Sequence, residues 1–511
     1  MNGAESVLRT LVASGVRTCF ANPGTSEMHL VAALDDVPEM RAVLTLFEGV
    51  ASGAADGYAR MAGEPAATLL HLGPGFGNAY ANVHNAYKAR TPLVNLVGDH
   101  AVAHKPLGAP LASDIESVAR PASHWVRTTP DARAAASDTA AAVAAARAGG
   151  VATLILPADA GWEPSLGPAA PRPVAPVAPV PDEAVAAAAR ALRAGGAGLL
   201  LGTPACGERG LELAARIAAA TGASLWHETF PARLARGGSR PRPAGVPYLT
   251  ELAVPALAEL SSLVLVGAQT PVGFFAYPGQ PSVLADPATA IVGLATPAED
   301  VLGALEALAA ELDAPPYAGT SAERVALPTG NALDLDALSA VVGALLPDGA
   351  VVVDESVSAS FLLFPRTAGA GEHDYLFLTG GAIGWGLPVA TGAALGAPDR
   401  RVVCLQADGS AMYTIQALWT QAREGLDVTT IVIANRSYAI LEFEFSRVGA
   451  SGSGAAARSL MDLGRPDLSF TGLASAMGVP ARRVDDVPGL VGALREALAS
   501  PGPNLIEAVV A

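Results

Sequence analysis

The stretch RVVCLQADGSAMYTIQALWTQAREGLDVTTIVIANRSY, Arg401 to Tyr438, contains two apolar runs that each end on a polar side chain. Asp408 closes the first run and Asn435 closes the second. Helical periodicity from Ser410 to Glu424 separates them, and Gly425 stands where a helix commonly ends. A right-handed strand–helix–strand crossover carries both polar residues to the same sheet edge. Two hard oxygen donors beside a helix N-terminus suit Mg²⁺ and a phosphorylated ligand. Gly409 lets the backbone approach such a ligand closely. Asp-Gly after a strand and Asn before a turn are also the marks of ordinary turns, and both readings stand on these residues alone.

Three further residues follow strand-like runs near the N-terminus. Glu48 joins a strand to a helix of small residues in AVLTLFEGVASGAADGYARMAG. Its ordinary role is to stabilise the helix N-terminus, but the Gly, Ala and Ser face that follows predicts a closely packed neighbour. Thr25, with Ser26 and Glu27, opens a helix in FANPGTSEMHL, where an N-cap is the ordinary role. His71 ends the run LLHL before a Gly-rich turn, and a lone histidine there is commonly structural. The remaining histidines are scattered, and none completes a metal-ligand spacing.

The elements that must position these residues follow from composition and punctuation. The chain has 511 residues, 51% hydrophobic and 16% charged, which is a well-buried globular composition. At about 100–200 residues per domain, two to four domains are expected. Pro-rich stretches at 164–182 and 313–331 are predicted as linkers, leaving domains at 1–163, 183–312 and 332–511. Each alternates strand and helix patterns, so the expected fold class is α/β, with three doubly wound parallel sheets. Ligands of such sheets bind beyond the carboxyl ends of the strands.

The net charge is −16 and no Lys/Arg cluster is present, so nucleic acid is not an expected partner. Cys19, Cys206 and Cys404 lie far apart, each in or beside an apolar run, and are predicted as buried free thiols of a cytoplasmic protein. The N-terminus lacks a basic, then apolar, leader pattern, and no membrane span is read.

The Arg401–Tyr438 stretch resembles the thiamine-diphosphate signature G-D-G-S/A…N-N of the family that holds benzoylformate decarboxylase, acetolactate synthase and pyruvate oxidase. The resemblance covers nearly the whole chain. It implies a thiamine-diphosphate-binding fold, with a pyrimidine-binding domain at 1–163, a central α/β domain at 183–312 and a diphosphate- and Mg-binding domain at 332–511. It implies Asp408 and Asn435 as side-chain ligands of Mg²⁺ and Ser437 as a main-chain ligand. Gly409, Ser410 and Tyr438 are implied as cofactor neighbours. Ala407 and Ala434 replace the first Gly and the first Asn of the signature. In TGGAIGWGLPVATGAALGA, Ile383 resembles the residue that bends the cofactor into a V, and the Gly381 carbonyl is implied to accept from its 4′-amino group.

By the same resemblance Glu48 hydrogen-bonds N1′ of the aminopyrimidine and promotes loss of the thiazolium C2 proton. Glu48 would belong to the subunit opposite the one holding Asp408, which implies a homodimer or homotetramer with sites between subunits. Thr25 corresponds to a serine that touches the substrate carboxylate in the decarboxylase branch, and His71 to a catalytic histidine there. The loop GPGFGN looks more like acetolactate synthases. AQTPVGFFAYPGQP resembles the loop that carries a second catalytic histidine in the decarboxylase, and Ala276 occupies that place. Ile440 and Leu441 are implied to line the substrate pocket. Glu444 stands where the decarboxylase has Phe and acetolactate synthases have Trp, and a Glu444 facing the pocket would imply a polar or cationic substrate. The Gly/Ser-rich run 449–457 is expected as a mobile lid.

The implied activity is non-oxidative decarboxylation of a 2-oxo acid through an enamine that is then protonated. The alternative is an acetolactate-synthase-like carboligase that joins the enamine to an acceptor aldehyde or keto acid. His71 favours the first, whereas GPGFGN and the absent second histidine favour the second. A cofactor-binding subunit with little turnover is the third alternative, supported only by Ala407 and Ala434. Some relatives carry FAD in the central domain, but this segment shows no G-x-G-x-x-G or other flavin signature.

Overall fold

A computed structural model describes residues 1–449 and 454–510. Positions 450–453 of the expected lid lie outside the described residues. Both Pro-rich stretches run as coil across the surface.

Three sheets form, mostly from the apolar runs that the sequence predicts as strands; Trp125–Thr128, Arg233–Arg236, Ala244–Gly245 and Ala481–Val484 lie outside those runs. The first has six parallel strands in the order Arg41–Leu44, Thr18–Ala21, Ala66–Leu70, Leu93–Asp99, Val151–Pro157, Trp125–Thr128. The second has five parallel strands in the order Ala244–Gly245, Ser224–His227, Ala197–Leu201, Ser262–Val266, Ala290–Ala295. The third runs Ala481–Val484, Asn504–Val509, Val428–Ala434, Val402–Ala407, Val351–Glu355, His373–Phe377, Arg233–Arg236. Strand order in the third sheet reverses between Val351–Glu355 and Val402–Ala407, so a crevice opens between their carboxyl ends.

The third sheet departs from the all-parallel expectation. Arg233–Arg236 comes from the central segment and pairs antiparallel with His373–Phe377. Its sequence, RLAR, carries no strand-like apolar run. The strand is held by its ladder to His373–Leu376 and by buried Leu234 and Ala235, and the Arg233 guanidinium adds bonds to both oxygens of Asp374 at 2.8 and 3.0 Å. The helix expected over 410–424 also breaks into Asp408–Ala411 and Ala417–Glu424. In the gap Thr414 Oγ1 donates to the Gly384 carbonyl at 3.0 Å, so this turn is tied to the neighbouring loop rather than to a continuous helix.

The small-residue face after Glu48 finds its partner. Helix Glu48–Ala62 crosses helix Gly386–Gly396 at glycines on both sides. A Cβ on Gly57 would lie 2.1 Å from the Val389 carbonyl oxygen, and one on Gly392 would lie 1.7 Å from that of Ala54. One apolar core runs through this contact and includes Phe20, Val43 and Leu70 from the first sheet with Val351, Leu376 and Trp385 from the last unit. Among the described residues no helix is long and apolar enough to cross a membrane.

Inside this contact Arg60 and Asp56 form a bidentate pair, both bonds 2.8 Å, with side chains 3% and 0% exposed. Asp56 also accepts from Thr91 and from the Trp385 indole N–H. Arg60 also donates to the carbonyls of Ala232 and Phe377 and to the Thr379 hydroxyl. Removing one member strands a buried charge, so Asp56→Ala should cost about 3–5 kcal/mol. Calorimetry should show a lowered melting temperature, and adding Arg60→Met to Asp56→Ala should cost less than the two single changes summed.

Candidate active site

Asp408 and Asn435 follow adjacent parallel strands whose register pairs Ala407 with Ile433. Both residues therefore stand at one sheet edge, beside the crevice. Asp408 Oδ1 accepts from the Gly409 N–H and Oδ2 from the Arg436 N–H, each at 2.7 Å. Arg436 is left-handed, with φ of 60°, and this turn lets Asn435 Oδ1 accept from the Ser437 N–H at 3.0 Å. Burial holds the Asp408 carboxyl above its ordinary range, against the pull of these backbone donors. A cation at this point would offset that burial.

Asp408, Gly409, Ser410, Asn435, Ser437 and Tyr438 all line one cavity of about 330 Å³. A Cβ on residue 409 would come 2.4 Å from Tyr438 Cε1, so glycine there lets the Tyr438 ring lie against the backbone. Among the described residues no group of three or more His, Cys, Asp or Glu side chains could hold a metal ion. One carboxylate, one amide and main-chain oxygens do suit a hard cation that takes its other oxygens from a diphosphate. The donor set thus fits a magnesium diphosphate better than a bare metal.

The loop after Phe377 supplies the other wall. Gly381 is left-handed, with φ of 74°, and Ile383 lines both this cavity and a second one beside it. Asn85 holds the loop from the first unit, donating to the Ala382 carbonyl at 2.8 Å, and Asn82 donates to the Gly384 carbonyl at 3.1 Å. From below, the Glu355 carboxylate accepts from the N–H groups of Gly384, Trp385 and Gly386 and from Gln406. Sequence reading missed Glu355. Its signal was available, since it is a carboxylate at the end of the apolar run AVVVDE, at a strand end where ligands gather.

The N-terminal residues form a separate cluster. Glu48 is buried at the start of its helix and accepts from Asn78 Nδ2 at 3.0 Å. Gly75 leaves a space bounded by Glu48 Oε1 and His71 Cβ, which a Cβ there would meet at 3.0 and 3.3 Å. His71 Nδ1 lies 2.9 Å from Glu27 Oε2 and 3.1 Å from Ser26 Oγ. A carboxylate facing Nδ1 holds a proton on it and leaves Nε2 to act on a ligand. Glu27 is thus the second partner that sequence reading passed over as a helix-start acid. Thr25 is exposed at the first position of a 3₁₀ turn. No residue of the first 163 lines the Asp408 cavity.

The four expected pocket residues Ile440, Leu441, Ala276 and Glu444 are not all placed alike. Ile440 lines both cavities and Leu441 lines the Asp408 cavity. Ala276 is exposed and lines neither; its loop instead delivers Phe274, whose ring lies over Gly381. Glu444 also lines neither cavity. It accepts from Tyr277 Oη at 2.9 Å and from Arg447 at 2.6 Å, and Arg447 in turn reaches Glu251 at 2.7 Å. Its charge is therefore matched within the chain, and it gives no ground for a cationic substrate.

Models of two families match the chain: the N-terminal thiamine pyrophosphate (TPP) binding domain of thiamine pyrophosphate enzymes over residues 1–118, and the C-terminal TPP binding domain over 368–508. A Mycobacterium tuberculosis protein, IlvX, provisionally named an acetolactate synthase large subunit, is 54% identical over 100% of this chain and 99% of its own. Benzoylformate decarboxylase of Pseudomonas aeruginosa is 30% identical over 96% of each chain. The solved structure of the Rhodococcus jostii thiamine diphosphate-dependent 4-hydroxybenzoylformate decarboxylase superposes with a TM-score of 0.88 at 26% identity, covering 100% of this chain and 99% of that one. The chain belongs to the thiamine-diphosphate-dependent enzymes related to benzoylformate decarboxylase and acetolactate synthase.

Burial pushes the Glu355 carboxyl up to about 7, despite the donors around it. A raised carboxyl favours the folded state fully below its ordinary range, and the benefit is lost as pH rises through about 7. Glu355→Gln has no such proton to lose. Melting temperatures of the two proteins followed from pH 4.5 to 7.5 should therefore shift in the variant's favour as pH rises.

Proposed function

We propose that the protein is a Mg²⁺- and thiamine-diphosphate-dependent decarboxylase of 2-oxo acids, built as at least a dimer. The observation that carries this reading is the gathering of Asp408, Asn435 and Ser437 on one cavity that shares Ile383 and Ile440 with an aromatic-lined cavity. The chain divides at its two Pro-rich segments into a pyrimidine-binding unit, a central unit and a diphosphate-binding unit. Bound thiamine diphosphate would supply a nucleophilic carbon and a sink for the electrons released with CO₂.

The chain's own residues do the rest. Asp408 and Asn435, with the Ser437 carbonyl, hold the cation that neutralises the diphosphate. Gly381 would offer its carbonyl to the cofactor, and Ile383, which lines both cavities, would pack against it. Glu48 of the opposite subunit partners the aminopyrimidine and controls its proton. His71, oriented by Glu27, moves a proton at the reacting carbon. The two whole-length relatives point in different directions by name. Carboligation, in which an acceptor carbonyl rather than a proton takes up the product carbon, is favoured by the GPGFGN loop and by the lack of any histidine in the loop segment 268–281.

Thiamine diphosphate with Mg²⁺ should raise the melting temperature of the parent and leave Asp408→Ala unmoved; a parent that shows no rise is not a thiamine-diphosphate enzyme of this kind. Glu48→Gln should slow C2–H exchange of the bound cofactor by about 10²–10⁴-fold with binding largely kept, as expected for loss of general acid–base help. A panel of 2-oxo acids with and without acceptor aldehydes, read for CO₂ and for ligated product, separates decarboxylase from carboligase.

A further inference from the structure

The second cavity, of about 340 Å³, lies between the central and the C-terminal units. It is roomy enough for a substituted benzene, since an apolar cavity of about 150 Å³ already takes benzene itself. Its walls are ring faces: Phe230, Tyr248 and Phe274 stand 5.3–6.1 Å apart, centroid to centroid, and Phe364 and Phe377 close the other side at 5.4 Å. No Lys or Arg lines it, and the two carboxylates that do, Asp354 and Glu355, disfavour an anion inside it.

One polar atom on this wall has no partner. His227 ends the strand Ser224–His227 and is 1% exposed. Its Nδ1 lies 2.6 Å from the Glu228 carbonyl oxygen, which fixes the proton on Nδ1 and makes Nε2 a bare acceptor. Burial holds the ring neutral, its conjugate acid lowered to about 4. Nε2 is buried and accepts from nothing among the described residues. Gly245, the register partner of His227, also lines the cavity, and a Cβ there would come within 3.1 Å of Nε2. With glycine at 245, no side chain from that strand position covers Nε2. An acceptor left unpaired in this way costs free energy unless a ligand supplies the donor.

We propose that the cavity takes the aromatic side chain of the substrate and that His227 Nε2 accepts a hydrogen bond from a neutral donor at its far end, a phenolic hydroxyl or a ring N–H. The assignment to the substrate rests on the 2-oxo-acid reading above, because the cavity meets the Asp408 cavity at Val357, Ile383 and Ile440. His227 is a specificity residue here, remote from the carbonyl that reacts.

Phenol and anisole, alike in size but only one a donor, are titrated into the full-length protein with thiamine diphosphate and Mg²⁺ and followed by ligand NMR. Phenol should bind about 5–10-fold more tightly than anisole, the worth of one buried hydrogen bond. His227→Phe should erase that preference by removing the acceptor. Gly245→Ala should erase it by covering the acceptor while keeping the bond from Nδ1 to Glu228, so one variant that fails to fold does not spoil the test. In turnover, kcat/KM for 4-hydroxyphenylglyoxylate over 4-methoxyphenylglyoxylate should fall by the same factor in His227→Phe. Equal binding of phenol and anisole by the parent, or a preference that survives in a folded variant, overturns the role of His227. A His227-dependent phenol preference in a protein that decarboxylates no 2-oxo acid keeps the acceptor site and overturns its assignment to the substrate.

Discussion

A guanidinium buried to the depth of Arg60 must have every donor engaged, and the way its donors are engaged dictates how the three units meet. Asp56 takes two of them from within the same helix turn. The others go to Ala232 in the central segment and to Phe377 and Thr379, which lead into the Gly381–Ile383 loop. Asp56 meanwhile holds Trp385, the residue just before helix Gly386–Gly396. The pair can sit there only because helix Glu48–Ala62 comes so close to its neighbour. Gly57 and Gly392 are therefore as necessary to it as the charges are. A buried ion pair is a poor source of net stability, and its value lies in permitting one arrangement of its partners. Here that arrangement sets the loop on which Gly381 and Ile383 stand.

The same loop is held from two more sides. Glu355 collects the N–H groups at its end, and Asn82 and Asn85 take its carbonyls. Every one of these partners sits on a helix or a strand end, so the loop's left-handed Gly381 and Gly384 are held by regular elements around it. A polar network this deep is costly if any member is missing, and here it engages the backbone of Ala382, Gly384, Trp385 and Gly386. The His227 acceptor is the contrasting case: the same depth, in an aromatic wall, with one lone pair left over.

Much of this was legible in the residues. Uninterrupted apolar runs marked most of the strands, because sheets covered on both faces need no alternation. Asp408 and Asn435 were legible as a pair, because a right-handed crossover must bring consecutive strand ends to one edge. The strand Arg233–Arg236 was not legible, since its partners, the His373–Leu376 ladder and the Asp374 carboxylate, lie far away in sequence. The break at 412–416 was hidden for the same kind of reason: a helical period was present, and Thr414 bonds across to Gly384. Glu27, Asp56 and Glu355 went unassigned because a carboxylate at a helix start, inside a helix or at a strand end looks the same in sequence whether it caps, orients or links. Only the partner distinguishes them, and the partners here lie up to 329 residues away.

The two substituted letters of the cofactor signature can be weighed in the same terms. Ala407 has φ of −72° and ψ of 146°, ordinary extended backbone, so nothing at that position calls for glycine. Ala434 is the last residue of its strand, pairs with Val509 and is buried; a larger polar side chain there would need a partner in an apolar wall. Gly409, by contrast, is kept, and it is the one letter whose loss would drive a side chain into the Tyr438 ring. The chain has thus changed the signature where the backbone tolerates it and kept it where sterics forbid change. Glu444 follows the same logic on the substrate side. Where the family resemblance implies an aromatic ring, this chain places a carboxylate and then answers it with Arg447, whose guanidinium lies 3.9 Å over the Tyr277 ring. The second cavity takes its aromatic surface from both sides, Phe230, Tyr248 and Phe274 of the central unit facing Phe361, Phe364 and Phe377 of the C-terminal one, so a ring at 444 is no part of that wall.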